Sequence, residues 1–253
     1  MPGTAIRAEA RANLCAIAVM AKAPRAGRSK TRLCPPFTPD EARELSAAFI
    51  QDITANLALA ARDAPVAPYI AFAPAGTEAL FSGLLAPGTA LVLADGTIPP
   101  PPGVTGFGLS LLHAMRNLFA AGFGGACVLN SDSPNLPTSF LQEAARRLMA
   151  PDGQSVLGAA EDGGYYLLGL RAPHAGMFAD ITWSGGDVAA ATRARAASLG
   201  LRLDEIPAWY DVDDAASLRR LLAEGGSGDP APFEAAVTRA ALARLNAAER
   251  LRA

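Results

Sequence analysis

Short apolar runs alternate with longer helical patterns along most of the chain. The runs predict strands at 14–20, 66–72, 90–93, 126–130, 155–160, 165–170 and 201–206. Helical spacing predicts helices at 77–85, 109–121, 139–149 and 215–223. Alternating strands and helices are typical of a largely parallel sheet that is covered by helices.

Two segments carry signals for the start of a helix. In "TPDE", Thr38 is the predicted N-cap, Pro39 takes the first helical position and Glu41 completes a capping box. Apolar residues then follow at intervals of four, at positions 45, 49, 53 and 57. The segment "SGGD", from Ser184 to Asp187, predicts a second capped helix that extends towards position 199.

The strands at 155–160 and 165–170 are joined by "EDGG", which is too short for a crossover helix, so this pair is predicted to be antiparallel. The predicted fold class is therefore α/β, with a mixed, mostly parallel sheet and helices on both faces. We predict an N-terminal tail at 1–13, one domain at 14–223, and a linker with a C-terminal helix at 224–253. That helix would pack on the domain or on a second subunit, which leaves a homodimer open.

The composition excludes several classes of protein. Of the 253 residues 51% are hydrophobic, which is enough for a large core, and the net charge is −2, so no broad basic surface is available for nucleic acid. No apolar run reaches the roughly 18 residues of a membrane span. The N-terminus lacks the apolar run and cleavage-like site of a signal peptide, which predicts a cytoplasmic location.

The cysteines are not predicted to bind a metal, and the histidines are not predicted to belong to a catalytic triad. Cys15, Cys34 and Cys127 lack the spacing of metal ligands, so we expect free thiols, two of them in strands. His113 and His174 do not lie near a nucleophile elbow, which argues against a serine hydrolase.

The loop "AKAPRAGRSKTRL" follows the first predicted strand and contains both lysines of the chain, Lys22 and Lys30. Gly27 allows close approach to the backbone, and Arg28 and Arg32 add donors. A loop at the carboxyl end of such a strand is where open α/β sheets bind phosphorylated ligands. The glycine spacing of a Walker loop is absent. The alternative is a solvated basic loop without a ligand.

Three acidic segments are candidates for metal or proton chemistry. Asp132 in "NSDSPNLP" follows a strand and could hold Mg²⁺ or Mn²⁺ on a nucleotide, or could simply form a turn. In "EDGGYY", Gly163 and Gly164 could let a ligand approach the backbone while Asp162 or Glu161 acts as a metal ligand or base, or the segment could be only a hairpin. In "DVDD", Asp211 and Asp213 could complete a metal site, or an aspartate here could cap the next helix.

The order of these segments resembles the bacterial glycosyltransferase-like proteins with the GT-A, or nucleotide-diphospho-sugar transferase, fold that are associated with radical-SAM and selenodomain proteins. The similarity covers residues 16–222 approximately and rests on "AKAPRAGRSKTRL", "SDSPNLP", "EDGGYYLLGL" and "DVDD". A more distant similarity is to nucleotidyltransferases that attach GMP or CMP to a small phosphorylated acceptor.

The resemblance implies roles for residues that match its motifs. Those expected to contact the nucleotide and its diphosphate are Lys22, Gly27, Lys30, Thr31, Arg32, Gly163, Gly164 and Tyr165, and Arg28 of the first loop is added to them as a further donor. The expected metal ligands are Asp132, Asp211 and Asp213. Lys30 would neutralise charge on the leaving nucleotide, and Asp162 would be the base.

One block departs from the family pattern. Where a "GDLGxRM"-like block is expected, this chain has "TGFGLSLLHAM", with Phe107 and uncharged neighbours in place of an acid and an arginine. The sequence therefore predicts a metal-dependent transferase that uses a nucleotide-activated donor and a small-molecule acceptor. Glycosyl transfer from an NDP-sugar is favoured, and the alternatives are nucleotidyl transfer with release of pyrophosphate, or nucleotide binding without catalysis.

Overall fold

The computed structural model of the chain describes residues 8–96, 99–183, 185–224 and 230–252. One mixed sheet contains the strands β1 (Cys15–Ala21), β2 (Val66–Phe72), β3 (Ala90–Leu93), β4 (Gly125–Leu129), β5 (Ser155–Ala160), β6 (Tyr165–Leu170) and β7 (Leu203–Trp209). Their order is β3-β2-β1-β4-β6-β5-β7. Only β6 runs antiparallel to its neighbours, as the short "EDGG" connection predicts. The predicted α/β class and mixed, mostly parallel sheet are confirmed.

The helices of the described residues are α1 (Ala8–Arg11), α2 (Pro39–Ala60), α3 (Gly106–Ala120), α4 (Thr138–Met149), α5 (Val188–Ser198), α6 (Ala215–Ala223), α7 (Ala236–Arg244) and α8 (Ala247–Arg250). The capping box at the start of α2 forms as predicted. The Thr38 amide donates to Glu41 at 2.7 Å, and the Glu41 amide donates to the Thr38 hydroxyl at 3.3 Å.

Two hydrophobic clusters cover the two faces of the sheet. In β1, Ile17 and Val19 pack on the α2 and α4 side, while Ala16 and Ala18 face α3. This alternation is the period of two expected of a strand that is buried on both faces. Helices therefore lie on both faces of the sheet. No helix of the described residues is both long enough and apolar enough to cross a membrane.

A third cluster connects the segments that follow β1 and β7 to α2 and the C-terminal helices. It joins residues from the end of the first loop, α2, the segment after β7, α6, α7 and α8, namely Leu33, Phe37, Leu45, Phe49, Tyr210, Val212, Leu218, Leu221, Leu242 and Leu251. The C-terminal helices thus pack on the body of the same chain, and α7 contacts α2.

The helix predicted at 77–85 and the start predicted for the helix after "SGGD" both differ from the structure. The segment predicted as a helix at 77–85 forms only the short 3₁₀ turn Glu78–Phe81, because Gly83 adopts a φ of 74° and Pro87 follows. The predicted box "SGGD" is wrong: α5 begins at Val188 with Asp187 as its N-cap and no side-chain cap bond. Ser184 lies outside the described residues.

The predicted C-terminal helix is shorter and is divided. It begins at Ala236 because the Asp52 carboxylate of α2 accepts hydrogen bonds from the Val237 and Thr238 amides at 3.1 and 2.6 Å. It ends before Asn246, whose φ of 50° separates α7 from α8. Most of the linker predicted before it, residues 225–229, lies outside the described residues, and the domain boundaries stay a prediction.

Candidate active site

The connections that leave β1, β4 and β7 meet at the carboxyl ends of the parallel strands. β1 and β4 are parallel neighbours, so the loop after Ala21 and the turn after Leu129 lie side by side. β7 is the far edge strand, but residues 210–213 return across the sheet, and the Val212 amide donates to the Asp132 carbonyl at 2.7 Å. Three candidate segments of the sequence are therefore brought together.

Lys30 is the centre of an ion cluster at these strand ends. Its Nζ lies 2.5 Å from Asp132 Oδ1 and 2.9 Å from Asp213 Oδ1, and donates to the Val212 carbonyl at 2.8 Å. The ammonium also lies 4.7 Å from the centre of the Phe49 ring. The Lys30 side chain is only 6% exposed, so its three donors are all used by the protein.

Backbone geometry and charge both hold Lys30 in this position. Its φ of 48° and ψ of 41° are left-handed, which is uncommon for a residue other than glycine. Burial opposes the charged form, but Asp132 and then Asp213 outweigh it and raise the pKa of Lys30 above its ordinary value. The cluster therefore keeps its positive centre throughout the neutral range.

Asp211 is held by hydrogen bonds next to this cluster. Asn130 Nδ2 donates to Asp211 Oδ1 at 2.6 Å, and Ser133 Oγ lies 2.8 Å from the same oxygen. Burial of the carboxylate raises the pKa of Asp211 to about 6, and the Ser133 hydrogen bond only partly offsets this effect. Asp211 is therefore a desolvated carboxylate that titrates near neutrality.

A basic cleft opens on one side of the ion cluster. Its outer part, of 480 Å³, is lined by Lys22, Arg25, Arg28 and the backbone around Gly27. Its inner part, of 310 Å³, shares Lys22 and Arg28 and reaches Lys30, Asp132 and Phe107. Small residues at the ends of β2 and β3, namely Ala71, Ala73 and Ala94, line the inner part. We call these two parts together the basic cleft.

A second cleft, of 470 Å³, lies on the other side of the cluster. It is lined by Asp162, Asp213, Arg32 and Arg220, among other residues. The Arg220 guanidinium donates to both oxygens of Glu161, at 2.6 and 3.1 Å, and stacks 3.7 Å from the centre of the Tyr210 ring. Arg32 is 79% exposed and lies 3.9 Å from Asp213. We call this space the second cleft.

The hairpin between β5 and β6 is organised by its own contacts. Asp162 Oδ1 accepts from the Gly164 amide at 2.8 Å, as in a turn. Gly163 has a φ of 91°, and a Cβ there would lie 1.7 Å from the Gly186 carbonyl oxygen. Tyr165 packs edge-on against Trp183, with 6.3 Å between the ring centres. Gly163 and Tyr165 therefore face protein, whereas Asp162 lines the second cleft.

The predicted site residues thus fall into separate groups. Lys30, Asp132 and Asp213 are in direct contact, and Asp211 is next to them. Lys22, Gly27, Arg28 and Thr31 line the basic cleft, whereas Arg32 lies in the second cleft. Asp214 caps α6 by accepting from the Ser217 amide at 2.8 Å, so the capping alternative applies to that aspartate.

Sequence reasoning missed several residues of the site. Asn130 and Ser133 orient Asp211, and their positions beside Asp132 in "NSDSP" were an available signal. Phe107, which the sequence marked only as a departure from the family pattern, lies in the first turn of α3 and lines the basic cleft. The Val212 carbonyl is a backbone group, so no side-chain pattern could have indicated it.

Asp132 and Asp213 are suited to hold a divalent cation whose remaining ligands are substrate phosphates and waters. The described residues contain no group of three or more His, Cys, Asp or Glu side chains arranged around a cation position. Mg²⁺ is often held by one or two carboxylates while substrate phosphates and waters complete its shell. Asp132 and Asp213, which are 33% and 36% exposed, fit that mode for a cation that arrives with a nucleotide.

The sheet and its connections are those of the nucleotide-diphospho-sugar transferase-like α/β proteins. A structure from Desulfovibrio desulfuricans G20, provisionally described as a nucleotide-diphospho-sugar transferase, has a TM-score of 0.77 and 27% identity, over 94% of this chain and 96% of that chain. CMP:2-keto-3-deoxy-manno-octonic acid synthetase in complex with CTP has a TM-score of 0.52 and 13% identity, over 83% of this chain and 97% of that chain, and supports the fold alone.

A family profile matches residues 56–185, which is half of the chain. The chain belongs to that family, described as "Uncharacterized protein conserved in bacteria (DUF2064)". No curated protein matches the sequence. The association with radical-SAM and selenodomain proteins, implied by the sequence resemblance, stays a prediction.

Proposed function

We propose that this chain is a metal-dependent transferase that uses a nucleotide-activated donor, and that its reaction is glycosyl transfer from an NDP-sugar to an acceptor hydroxyl. The observation that carries the proposal is the position of the Lys30 ion cluster between two clefts. Asp132 lines the basic cleft, and Asp213 lines the second cleft. A group bound at the cluster is thus within reach of two ligands. The structural similarity to the Desulfovibrio protein supports the same class.

In this scheme the donor occupies the basic cleft. Lys22 and Arg28 are exposed cations that line both parts of this cleft, and they are suited to the two phosphates of a nucleoside diphosphate. Asp132 and Asp213 would hold Mg²⁺ or Mn²⁺, which neutralises charge on the departing diphosphate when it is bound. Lys30 keeps the two carboxylates at a fixed separation, so little reorganisation is needed.

The acceptor would enter through the second cleft. Asp162 is the carboxylate there that is proposed to take the hydroxyl proton, while the acceptor oxygen bonds to the sugar carbon and the bond to the diphosphate breaks. The Glu161–Arg220 pair and the Tyr210 ring also line this cleft. These groups would orient a polar acceptor through hydrogen bonds.

Nucleotidyl transfer is the second candidate, and Arg32 is the observation that favours it. This guanidinium is exposed in the second cleft, where it could bind the phosphate of a phosphorylated acceptor. That phosphate would attack the α-phosphate of an NTP, and pyrophosphate would leave. Nucleotide binding without catalysis is the third candidate, because all three donors of Lys30 are already satisfied within the protein.

Thermal shift with a ligand panel tests the proposal. The panel contains NTPs, NDPs and NDP-sugars, each with Mg²⁺, with Mn²⁺ or with a chelator. A true donor present at 100 times its Kd should add about 2.7 kcal/mol, which raises the Tm by roughly 5 to 11 °C for a chain of this size. Asp132→Ala should lose the metal-dependent part of the shift. The matched control is Asp63→Ala, an exposed aspartate on the turn after α2.

Product analysis then separates the three candidates. Release of NDP in step with acceptor consumption supports glycosyl transfer, whereas pyrophosphate supports nucleotidyl transfer. A saturable shift without turnover of any acceptor supports binding alone. The proposal fails if no nucleotide of the panel shifts the Tm of the wild-type protein, or if Asp132→Ala keeps the full metal dependence.

Phe107 gives a further prediction for donor binding. Its ring is 49% exposed in the basic cleft and is supported edge-on by Trp183, with 5.6 Å between the ring centres. Loss of such an aromatic surface should cost about 1 kcal/mol, so Phe107→Ala should weaken donor binding about fivefold. Phe107→Tyr should retain most of the affinity. Leu199→Ala, 44% exposed on another surface, is the control. Equal affinities for all four proteins would show that the donor does not touch this ring.

A further inference from the structure

The C-terminal helices pack against the end of the loop that carries Lys30. Leu33 and Phe37 of that loop share the third hydrophobic cluster with Leu242 of α7 and with Leu251, the residue that follows α8, and each of the four is at most 4% exposed. Val212, whose carbonyl receives the Lys30 ammonium, belongs to the same cluster. Both segments that hold Lys30 therefore rest partly on α7 and α8, which lie outside the region that the family profile matches.

Arg250 of α8 makes the polar contacts of this interface. Its guanidinium donates to both oxygens of Glu41, each at 2.8 Å, and to the Pro36 carbonyl at 2.6 Å. It also stacks 4.7 Å from the centre of the Phe37 ring. The hydrogen bonds from Arg250, and then from the Thr38 amide, lower the pKa of Glu41 to about 2. One side chain thus ties α8 to the loop and to the start of α2.

The backbone between Pro36 and Lys30 transmits this restraint. The Phe37 amide donates to the Leu33 carbonyl at 3.0 Å, and the Leu33 amide donates to the Lys30 carbonyl at 3.0 Å. These consecutive bonds leave the loop little freedom between the Arg250 contact and the left-handed Lys30. The other end of the C-terminal segment is fixed where Asp52 caps α7. The restraint therefore runs from α2, through α7 and α8, back to the loop.

We propose that Arg250 is a positioning residue, through which the C-terminal helices hold the first loop in the conformation that places Lys30 between Asp132 and Asp213. Its effect on donor binding rests on the proposed function, whereas its effect on the loop does not. Arg244 of α7 provides a matched comparison. It pairs with Glu44 of α2 and is 62% exposed, but its ion pair does not include the loop.

The alkylation rate of Cys34 reports how readily the first loop opens. Cys34 is half-buried between Leu33 and Pro35, whereas Cys15 and Cys127 are fully buried in the sheet, so a small thiol reagent reports on Cys34. Arg250→Ala should raise the alkylation rate about fivefold or more, because the loop opens locally while the fold persists. Arg250→Lys, which keeps the charge but cannot bridge Glu41 and Pro36 in the same way, should give a smaller increase. Arg244→Ala should match the wild type.

The same proteins are then titrated with the nucleotide that gives the largest thermal shift for the wild type. Arg250→Ala should weaken its binding about tenfold, while Arg244→Ala leaves it unchanged. Equal Cys34 rates in Arg250→Ala and the wild type, or an equal increase in both alanine variants, would overturn the inference. If the wild type binds no nucleotide but the Cys34 rates differ as expected, the positioning role stands and the proposed function fails. If the Cys34 rates differ but the affinities are equal, Arg250 positions the loop as proposed, and the expectation that this loop conformation limits donor binding is overturned.

Discussion

Lys30→Ala should lower the free energy of unfolding by about 3 kcal/mol at pH 7.5, near the lower limit for breaking a buried ion pair. The lower limit applies because Asp132 and Asp213 are about one third exposed, and solvent screens part of the interaction. The substitution removes the three hydrogen-bonding contacts of the ammonium and leaves the carboxylates facing one another. Chemical denaturation at constant pH measures the loss.

Lys22→Ala is the matched control for this prediction, because it removes the only other lysine of the chain from the same loop. Lys22 is exposed, so the free energy of unfolding should change by less than about 0.5 kcal/mol. Lys22→Ala should nevertheless weaken nucleotide binding if the basic cleft is the donor site. The interpretation of Lys30 would be wrong if the two variants were equally stable.

Asp211→Asn should instead stabilise the protein at neutral pH. The pKa of Asp211 in the folded protein is about 6, against an ordinary value of 3.8, so stability falls as the pH rises from about 3.8 to about 6 and stays lower above pH 6. A difference of about two pKa units corresponds to about 3 kcal/mol at pH 8. The asparagine side chain keeps an oxygen that can accept hydrogen bonds from Asn130 and Ser133. We therefore expect the free energy of unfolding to rise by about 2 kcal/mol, which corresponds to roughly 4 to 8 °C in Tm.

The stability difference between Asp211→Asn and the wild type should depend on pH. A carboxyl group whose folded pKa is raised takes up its proton more readily in the folded state, so its cost to stability disappears as the pH falls through about 6 and then towards 3.8. The difference in stability between Asp211→Asn and the wild type should therefore be largest at pH 8 and fall below about 1 kcal/mol at pH 4. Asp63→Asn, at an exposed position, should show no such trend. A difference that is independent of pH would contradict the assignment to Asp211.

The strands were predictable because each is a short apolar run between clear turn signals. Six of the seven agree in start position with the structure to within one residue, and the exception, β7, begins two residues later and extends to Trp209. The capping box of α2 was readable because its two partners lie three residues apart. The helix predicted at 77–85 failed because apolar spacing alone does not account for the Gly83 conformation.

The candidate site was only partly predictable for a physical reason. The sequence indicated that basic and acidic groups follow successive strands, and the parallel order of β1 and β4 brings Lys30 and Asp132 to one edge. The pairing with Asp213 depends on the return of residues 210–213 across the sheet, which follows from packing and not from local pattern. The left-handed conformation of Lys30 is likewise imposed by tertiary contacts.

The strand order has a consequence for how this family should be delimited. The profile covers 56–185, which includes Asp132 but omits β1, β7, Lys30 and Asp213. β1 lies between β2 and β4, so a polypeptide cut to those limits would lose a strand from the middle of its sheet and begin inside α2. The conserved segment is therefore not an autonomous folding unit. Comparisons among relatives that stop at its limits would miss most of the charged residues from which a shared activity could be recognised.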